Sequence, residues 1–121
     1  MDGQSQVTFD GSCAILSVEG YHDADAAELC ASRLEHFTRS NVGGVDVLVD
    51  IRHISGFSSE ARQRWQACFK QISAFVESIT IVGGTPLARM TGSAVCLYAG
   101  IKFATAPSVD SVLSSEARSA N

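Results

Sequence analysis

The 121-residue chain lacks the features that identify several large classes of protein. Its nine Lys and Arg residues are scattered and the net charge is −4, so no basic cluster is present to displace counterions from a nucleic acid. No apolar run approaches the ~20 residues that span a bilayer. The N-terminus is polar and acidic, unlike a basic, apolar secretion signal. We therefore expect a cytoplasmic protein with no membrane span and no nucleic-acid partner.

The sequence also lacks motifs for metal binding and for catalysis. The four cysteines include no C-x-x-C pair, and each lies in an apolar pattern that favours a reduced, buried thiol: Cys13, Cys30, Cys68 and Cys96. The three histidines share no metal-ligand spacing. There is no G-x-S-x-G elbow, no P-loop and no G-x-G-x-x-G. These absences predict no metal, no cofactor and no enzymatic activity.

The most informative stretch is residues 45–76. Val45, Val47, Val49 and Ile51 recur at every second position, which predicts a buried strand. A polar connection, residues 52–59, is predicted to be a loop. An apolar stripe at helical spacing then predicts a long helix packed on that strand: Ala61, Trp65, Cys68, Phe69, Ile72, Phe75 and Val76.

The rest of the chain alternates strands and helices around this stretch. Asp10-Gly11-Ser12 between two apolar runs predicts an N-terminal β-hairpin, and Asp23 or Asp25 is expected to cap the next helix. After a strand over residues 78–82, Thr85 and Pro86 predict a helix ending at Gly100, then a short strand over 102–105 and a last helix from Pro107. In the helix after Pro86, an apolar stripe continues at helical spacing: Leu87, Met90, Ala94, Leu97 and Tyr98.

This order of elements predicts one α/β domain over residues 1–121, with an ordered core of about 6–113. Alternating strands and helices require crossover connections, hence a mostly parallel sheet, with four helices and the first strand antiparallel at an edge. The βα connections of such a sheet emerge at one edge, where a ligand or partner site is expected. The polar residues predicted at that edge are His22, Arg52, His53, Ser55, Ser58, Ser59, Thr85 and Arg89.

Ser58 and Ser59 support two interpretations. A serine at this position is a common helix cap. Alternatively, one hydroxyl is a phosphoacceptor, because a phosphate would sit favourably at the positive end of the helix, held by Arg62 and Arg64.

The sequence VLVDIRHISGFSS, residues 47–59, resembles the central strand–loop–helix of STAS domains, which include the SpoIIAA-like anti-sigma-factor antagonists. It is most similar to a branch of small stand-alone bacterial proteins that is related in fold to CRAL-TRIO lipid-binding domains. That branch carries a D-x-R-x-x-x-G stretch, seen here from Asp50 to Gly56, and a Phe like Phe103. The resemblance implies a SpoIIAA-like fold and a protein partner of the kinase or anti-sigma type. It places Ser59 where the family has its phosphorylated serine and Ser58 where the family has Asp.

Three functional hypotheses follow. The leading one is a non-catalytic regulatory module that binds a protein partner through residues 52–64, with phosphorylation at Ser59 as its control. The second is binding of a small apolar molecule, lipid or nucleotide between the sheet and its helices, in a pocket lined by Trp65, Phe69, Phe75, Met90 and Tyr98. The third is a hydrolase or transferase that uses His22, His53 and the nearby serines. Pairing of two copies through an exposed helix face stays open.

Overall fold

The structure, a computed structural model, describes residues 3–41 and 43–106, so the helix predicted from Pro107 lies outside the described residues. The strands are β1 (Gln4–Asp10), β2 (Cys13–His22), β3 (Val45–Phe57), β4 (Val76–Val82) and β5 (Phe103–Ala106). The helices are α1 (Ala24–Ser40), α2 (Ser59–Ile72) and α3 (Pro86–Ala99), and a 3-10 turn, Ser73–Phe75, joins α2 to β4.

The strands form a single sheet in the order β1-β2-β3-β4-β5. β1 pairs antiparallel with β2 through a two-residue hairpin loop, in which Gly11 has a φ of 60°, and the other neighbours are parallel. The mostly parallel sheet, the edge hairpin and the central position of β3 are therefore confirmed. Every crossover advances one strand in the same direction. Right-handed connections consequently place the three helices on one face of the sheet.

The core lies between that face and the helices. Val45, Val47 and Ile51 of β3 are buried there, as their alternation predicted. Trp65 and Phe69 of α2 pack against the same cluster, together with Ile79 and Ile81 of β4. None of the four cysteines, all of which lie within the described residues, forms a disulfide; Cys13 is half-buried and the other three are buried.

Strand β3 is longer than its sequence pattern predicted. Residues 52–57, expected to form a loop, continue the strand and pair with the last residues of β2. Strand β3 has one extra residue relative to β2 at two places. The first lies between Asp50 and His53, which pair with Ser17 and Glu19, and the second between Ile54 and Gly56, which pair with Gly20 and Tyr21. Because of these bulges, Ile51, Ile54 and Phe57 reach the core at a spacing of three.

Helix α3 corrects a second expectation. Its boundaries and caps are as predicted: the Thr85 side chain caps it, and Gly100 ends it with a φ of 75°. However, Met90 and Tyr98, which were predicted to line a pocket against the sheet, are exposed, and so are Leu87 and Leu97 of the same stripe. The side that faces the core carries small residues instead, among them Ala88, Val95 and Cys96.

Two smaller expectations are also revised. Phe75 belongs to the 3-10 turn and is 41% exposed, and Val76 begins β4 instead of continuing the helix. Of the two aspartates proposed as caps, Asp23 is the one that accepts a hydrogen bond, from the Ala26 backbone N–H.

Candidate functional site

The corner where β3 passes into α2 distinguishes the two serines. Ser58 is extended and its Oγ accepts a hydrogen bond from the Ala61 backbone N–H at 3.0 Å, while its own backbone N–H donates to the His22 carbonyl. Ser58 is thus the N-cap and ties α2 to the end of β2. Ser59 is the first residue of α2 and is exposed. Within residues 3–41 and 43–106, no side-chain hydrogen bond involves its hydroxyl.

The two arginines that follow have different surroundings. Arg62 is half-buried, one turn after Ser59. Arg64 instead reaches α1, where its two terminal nitrogens each donate to one Glu35 carboxylate oxygen at 2.9 Å and its Nε donates to Glu28. The hydrogen bonds to Glu35 and Glu28 raise the pKa of Arg64. Arg64 therefore locks α2 to α1 and does not face the corner, contrary to expectation.

Asp50 and Arg52 form a second tie next to the corner. The Asp50 carboxylate accepts hydrogen bonds from the Arg52 backbone N–H and from its Nε and Nη2, the last at 2.8 Å. The hydrogen bonds from Arg52 lower the pKa of Asp50. The arginine stem lies against the turn after β4, since a Cβ on Gly83 would lie 2.4 Å from its Cγ. The D-x-R pair thus holds the end of β3 against this turn.

The remaining predicted residues occupy separate positions around this edge. His53 and Ser55 are exposed on the extended part of β3. Thr85 caps α3 by accepting from the Ala88 backbone N–H at 3.1 Å, and Arg89 is exposed in the first turn. The structure therefore brings Ser58 into contact with His22. It places Thr85 and Arg89 at the start of the neighbouring helix.

His22 is buried, not exposed at the edge. Its Nε2 lies 2.9 Å from the Trp65 indole nitrogen and its Nδ1 lies 2.9 Å from Ser5 Oγ. An indole N–H only donates, so Nε2 must accept and Nδ1 must carry the hydrogen of the neutral ring. Burial lowers the pKa of His22, against the opposing effect of Asp23. In this arrangement Nδ1 donates to Ser5, so His22 cannot take the serine's proton as a general base.

A cavity of about 100 Å³ lies between the sheet and helices α2 and α3. Trp65 and Phe69 line it, as predicted, whereas Phe75, Met90 and Tyr98 are exposed and do not. Most of the wall is apolar, and the polar side chains in it are His22, Arg62 and Thr91. The volume is well below the roughly 300–1,000 Å³ of pockets that hold drug-sized ligands or cofactors.

Within the described part of the chain, no group of three or more His, Cys, Asp or Glu side chains is arranged to hold a metal ion. None of the helices in that part is long and apolar enough to cross a bilayer.

Comparison with known proteins identifies the fold. No family model matches the chain, and neither does any curated protein. Among solved structures, an uncharacterized DUF3478-family protein with a SpoIIAA-like fold, from Shewanella loihica PV-4, is 13% identical with a TM-score of 0.70, over 93% of this chain and 91% of that one. The anti-sigma factor antagonist SpoIIAA in its unphosphorylated form is 11% identical with a TM-score of 0.72, over 95% and 98%.

A third structure, an anti-sigma factor antagonist from Mycobacterium paratuberculosis, is 16% identical with a TM-score of 0.56, over 94% of this chain and 93% of that chain. These identities are low, while the coverage is nearly complete in both directions. The chain therefore has the SpoIIAA-like fold that the resemblance of residues 47–59 implied.

Proposed function

We propose that this protein is a non-catalytic regulatory module that binds a protein partner through the β3–α2 corner, residues 52–64, and is controlled by phosphorylation at Ser59. The observation that supports the proposal is that the two serines have different surroundings. Ser58 already caps α2. The exposed hydroxyl of Ser59 can therefore accept a modification without loss of the cap.

A phosphate on Ser59 would meet favourable electrostatics. It would add a charge of about −1.5 to −2 at the N-terminus of a helix, where unpaired backbone N–H groups and the helix dipole favour an anion. Arg62 lies three residues further along the same helix, one turn away, and can pair with it. Glu60 is the opposing charge in the first turn. A phosphate would thus replace a neutral hydroxyl at the corner with a concentrated negative charge.

The surroundings also suit recognition by a protein. Arg52, His53 and Ser55 are exposed on the extended part of β3. The corner is held rigidly by the Ser58 cap, the Asp50–Arg52 pair and the Arg64–Glu35 pair. Two of the structural neighbours are described as anti-sigma factor antagonists, one of them in an unphosphorylated form, which supports a regulatory role for this chain.

The proposal is tested in two steps. First, mass spectrometry of protein purified from its native cells is expected to find phosphate on Ser59, and affinity capture to recover a partner. Second, titration of that partner is expected to show that Ser59→Asp changes its Kd by at least about tenfold, or about 1.4 kcal/mol. Ser12→Asp, at an exposed serine in the β1–β2 hairpin loop, is the control and is expected to leave the Kd unchanged.

Two outcomes contradict the proposal. One is a partner whose affinity for the Ser59→Asp and wild-type proteins is the same. The other is a partner whose binding survives replacement of the exposed corner residues, tested with Arg52→Ala and His53→Ala. Ser59→Asp alters no hydrogen bond within the described residues, so a change in affinity would not be a consequence of unfolding.

The cavity supports a second candidate function, the binding of a small apolar molecule. At about 100 Å³ it is too small in this conformation for a nucleotide or a lipid chain, so the candidate is a ligand of a few heavy atoms. Benzene or xenon is expected to raise the unfolding temperature of the wild-type protein. Gly92→Ala, which places a methyl group at the cavity wall 3.1 Å from Ile81 Cδ1, is expected to reduce that effect. Absence of any shift with either probe contradicts this candidate.

A further inference from the structure

The outer side of helix α3 carries a continuous apolar surface. Leu87, Met90 and Leu97 are 64%, 67% and 70% exposed, and Ala94 between them is exposed as well. We call these four residues the α3 stripe. Their spacing of three, four and three residues is the a/d pattern of helices that pack side by side. Single exposed apolar residues are ordinary, but a contiguous stripe on one helix marks an interaction surface.

The stripe is not exposed because α3 is loosely attached. The opposite side of the helix is buried through Ala88, Val95 and Cys96. Gly92 on that side comes so close to β4 that an added Cβ would lie 3.1 Å from Ile81. Small side chains let the helix pack closely on the sheet, so the larger side chains are left on the outside. The orientation of the stripe is therefore determined by the core.

We propose that the α3 stripe is a homodimer interface in which α3 of a second copy packs antiparallel to it. A two-fold axis at the level of Gly92 would place Met90 of one copy against the partner's Ala94. It would also place Leu87 against the partner's Leu97. In antiparallel helix pairs a and d positions face each other in this way. The longest side chain of the stripe thus meets the smallest, so the surface is complementary to itself, as a two-fold interface requires.

The charges of α3 agree with this arrangement. Arg89 is the helix's single charged residue, so two copies bring no opposed cluster of like charges together. Arg89 lies about 100° around the helix from Met90, outside the stripe, so the two copies of Arg89 do not meet at the seam. Lys70 Nζ lies 4.6 Å from the centre of the Tyr98 ring, at the side of the stripe. This contact holds the Lys70 cation beside the seam, so the seam itself is apolar. A single arginine gives little attraction to an anionic lipid surface.

The size of the stripe predicts a weak dimer. Complete burial of a Leu or Met side chain removes on the order of 60–120 Å² from water, so the three large residues remove at most roughly 180–360 Å² on each copy. A stable interface buries about 800 Å² per partner. Dimerisation is therefore expected to depend on concentration, between about 1 μM and 1 mM.

The first test is sedimentation equilibrium of the full chain over that concentration range. The wild-type protein is expected to pass from monomer to dimer, and Leu97→Asp to raise the dimer Kd by at least about tenfold, because each copy would then place a carboxylate against the partner's Leu87. Leu29→Asp is the matched control: Leu29 is a similarly exposed leucine, 61%, on helix α1, and its replacement is expected to leave the Kd unchanged. A wild-type protein that stays monomeric, or a Kd that Leu97→Asp does not change, overturns the proposal.

The second test concerns the antiparallel register. In a Cys13→Ser background, which removes the half-buried native thiol, the double variant Met90→Cys/Ala94→Cys is expected to form disulfide-linked dimers under mild oxidation. Each single variant is expected to form few, because residue 90 faces the partner's residue 94. Efficient cross-linking by the single variants, or none by the double variant, overturns the antiparallel arrangement. Binding of the wild-type monomer to anionic vesicles that Leu97→Asp abolishes would assign the stripe to a membrane surface and also overturn it.

Discussion

The bidentate pair between Arg64 and Glu35 makes a prediction about stability. The Glu35 side chain is 8% exposed and that of Arg64 is 22% exposed, so neither charge is fully hydrated. Glu35→Gln removes the negative charge and leaves an amide that cannot accept two parallel hydrogen bonds from the guanidinium. Breaking a buried pair by removing one partner typically costs about 3–5 kcal/mol. Since Arg64 keeps some contact with water and with Glu28, we expect about 2–3 kcal/mol.

Urea denaturation measures this change in the free energy of unfolding. With an m-value of about 2 kcal/mol/M, the expected loss moves the midpoint down by about 1–1.5 M. Glu28→Gln is the control, because Glu28 bonds to the same arginine but its side chain is 62% exposed, and its effect is expected to be clearly smaller. The double variant Glu35→Met/Arg64→Met is expected to recover most of the loss, since it leaves no unpaired charge.

A loss below about 0.5 kcal/mol for Glu35→Gln, the range of ordinary surface substitutions, would refute this reasoning. So would a double variant that is less stable than Glu35→Gln itself. In either case the pair would not be what holds α1 against α2, and the rigidity of the β3–α2 corner would need another source.

Three further predictions follow from the same structure. Ser58→Ala is expected to cost about 1 kcal/mol of stability through loss of the α2 cap, whereas Ser59→Ala is expected to cost little. Thermal or urea unfolding would measure both changes, and equal effects would contradict the assignment of the cap to Ser58. Burial lowers the pKa of His22, so as the pH falls the unfolded state binds a proton on this ring before the folded state does. The contribution of the neutral ring to the free energy of unfolding is therefore fully present above about pH 6.5 and falls as the pH drops from there through the folded-state pKa. Unfolding curves across this range would show the slope, and a variant His22→Gln that retains it would contradict the reasoning. Gly92→Ala is expected to stabilise α3 by up to about 1 kcal/mol, provided Ile81 Cδ1 moves into the adjoining cavity, and a destabilised variant would show that it does not.

The sequence predicted most of the framework because those signals are local. Asp-Gly at the hairpin, Thr85 and Pro86 at the start of α3 and Gly100 at its end act through the φ, ψ and hydrogen bonds of a few neighbouring residues. The alternating valines of β3 likewise report burial on one face without reference to any partner. The motif over residues 47–59 added the fold, which the structural neighbours confirm.

Contacts between distant segments determined what the sequence analysis missed. Residues 52–57 contain Ser and Gly and resemble a loop, but pairing with the end of β2 makes them a strand. The burial of Glu35 has no local signal in the sequence, because charged residues are usually hydrated and its partner Arg64 is 29 residues away. His22 was predicted to lie at the open edge of the sheet. In the structure it is buried and accepts a hydrogen bond from Trp65, which is 43 residues away.

Helix α3 shows most clearly what the sequence and the tertiary structure each determine. Periodicity in the sequence indicated a stripe of large apolar residues on this helix. The face that is buried in the structure is instead the one with smaller apolar residues, among them Ala88, Val95 and Cys96. Which face packs inward depends on the space that β4 and α2 leave, and that space admits only Ala88, Gly92 and their small neighbours. The sequence by itself therefore determined the elements and their order. The tertiary structure decided which apolar face is core and which is surface, because close packing selects by shape as well as by hydrophobicity.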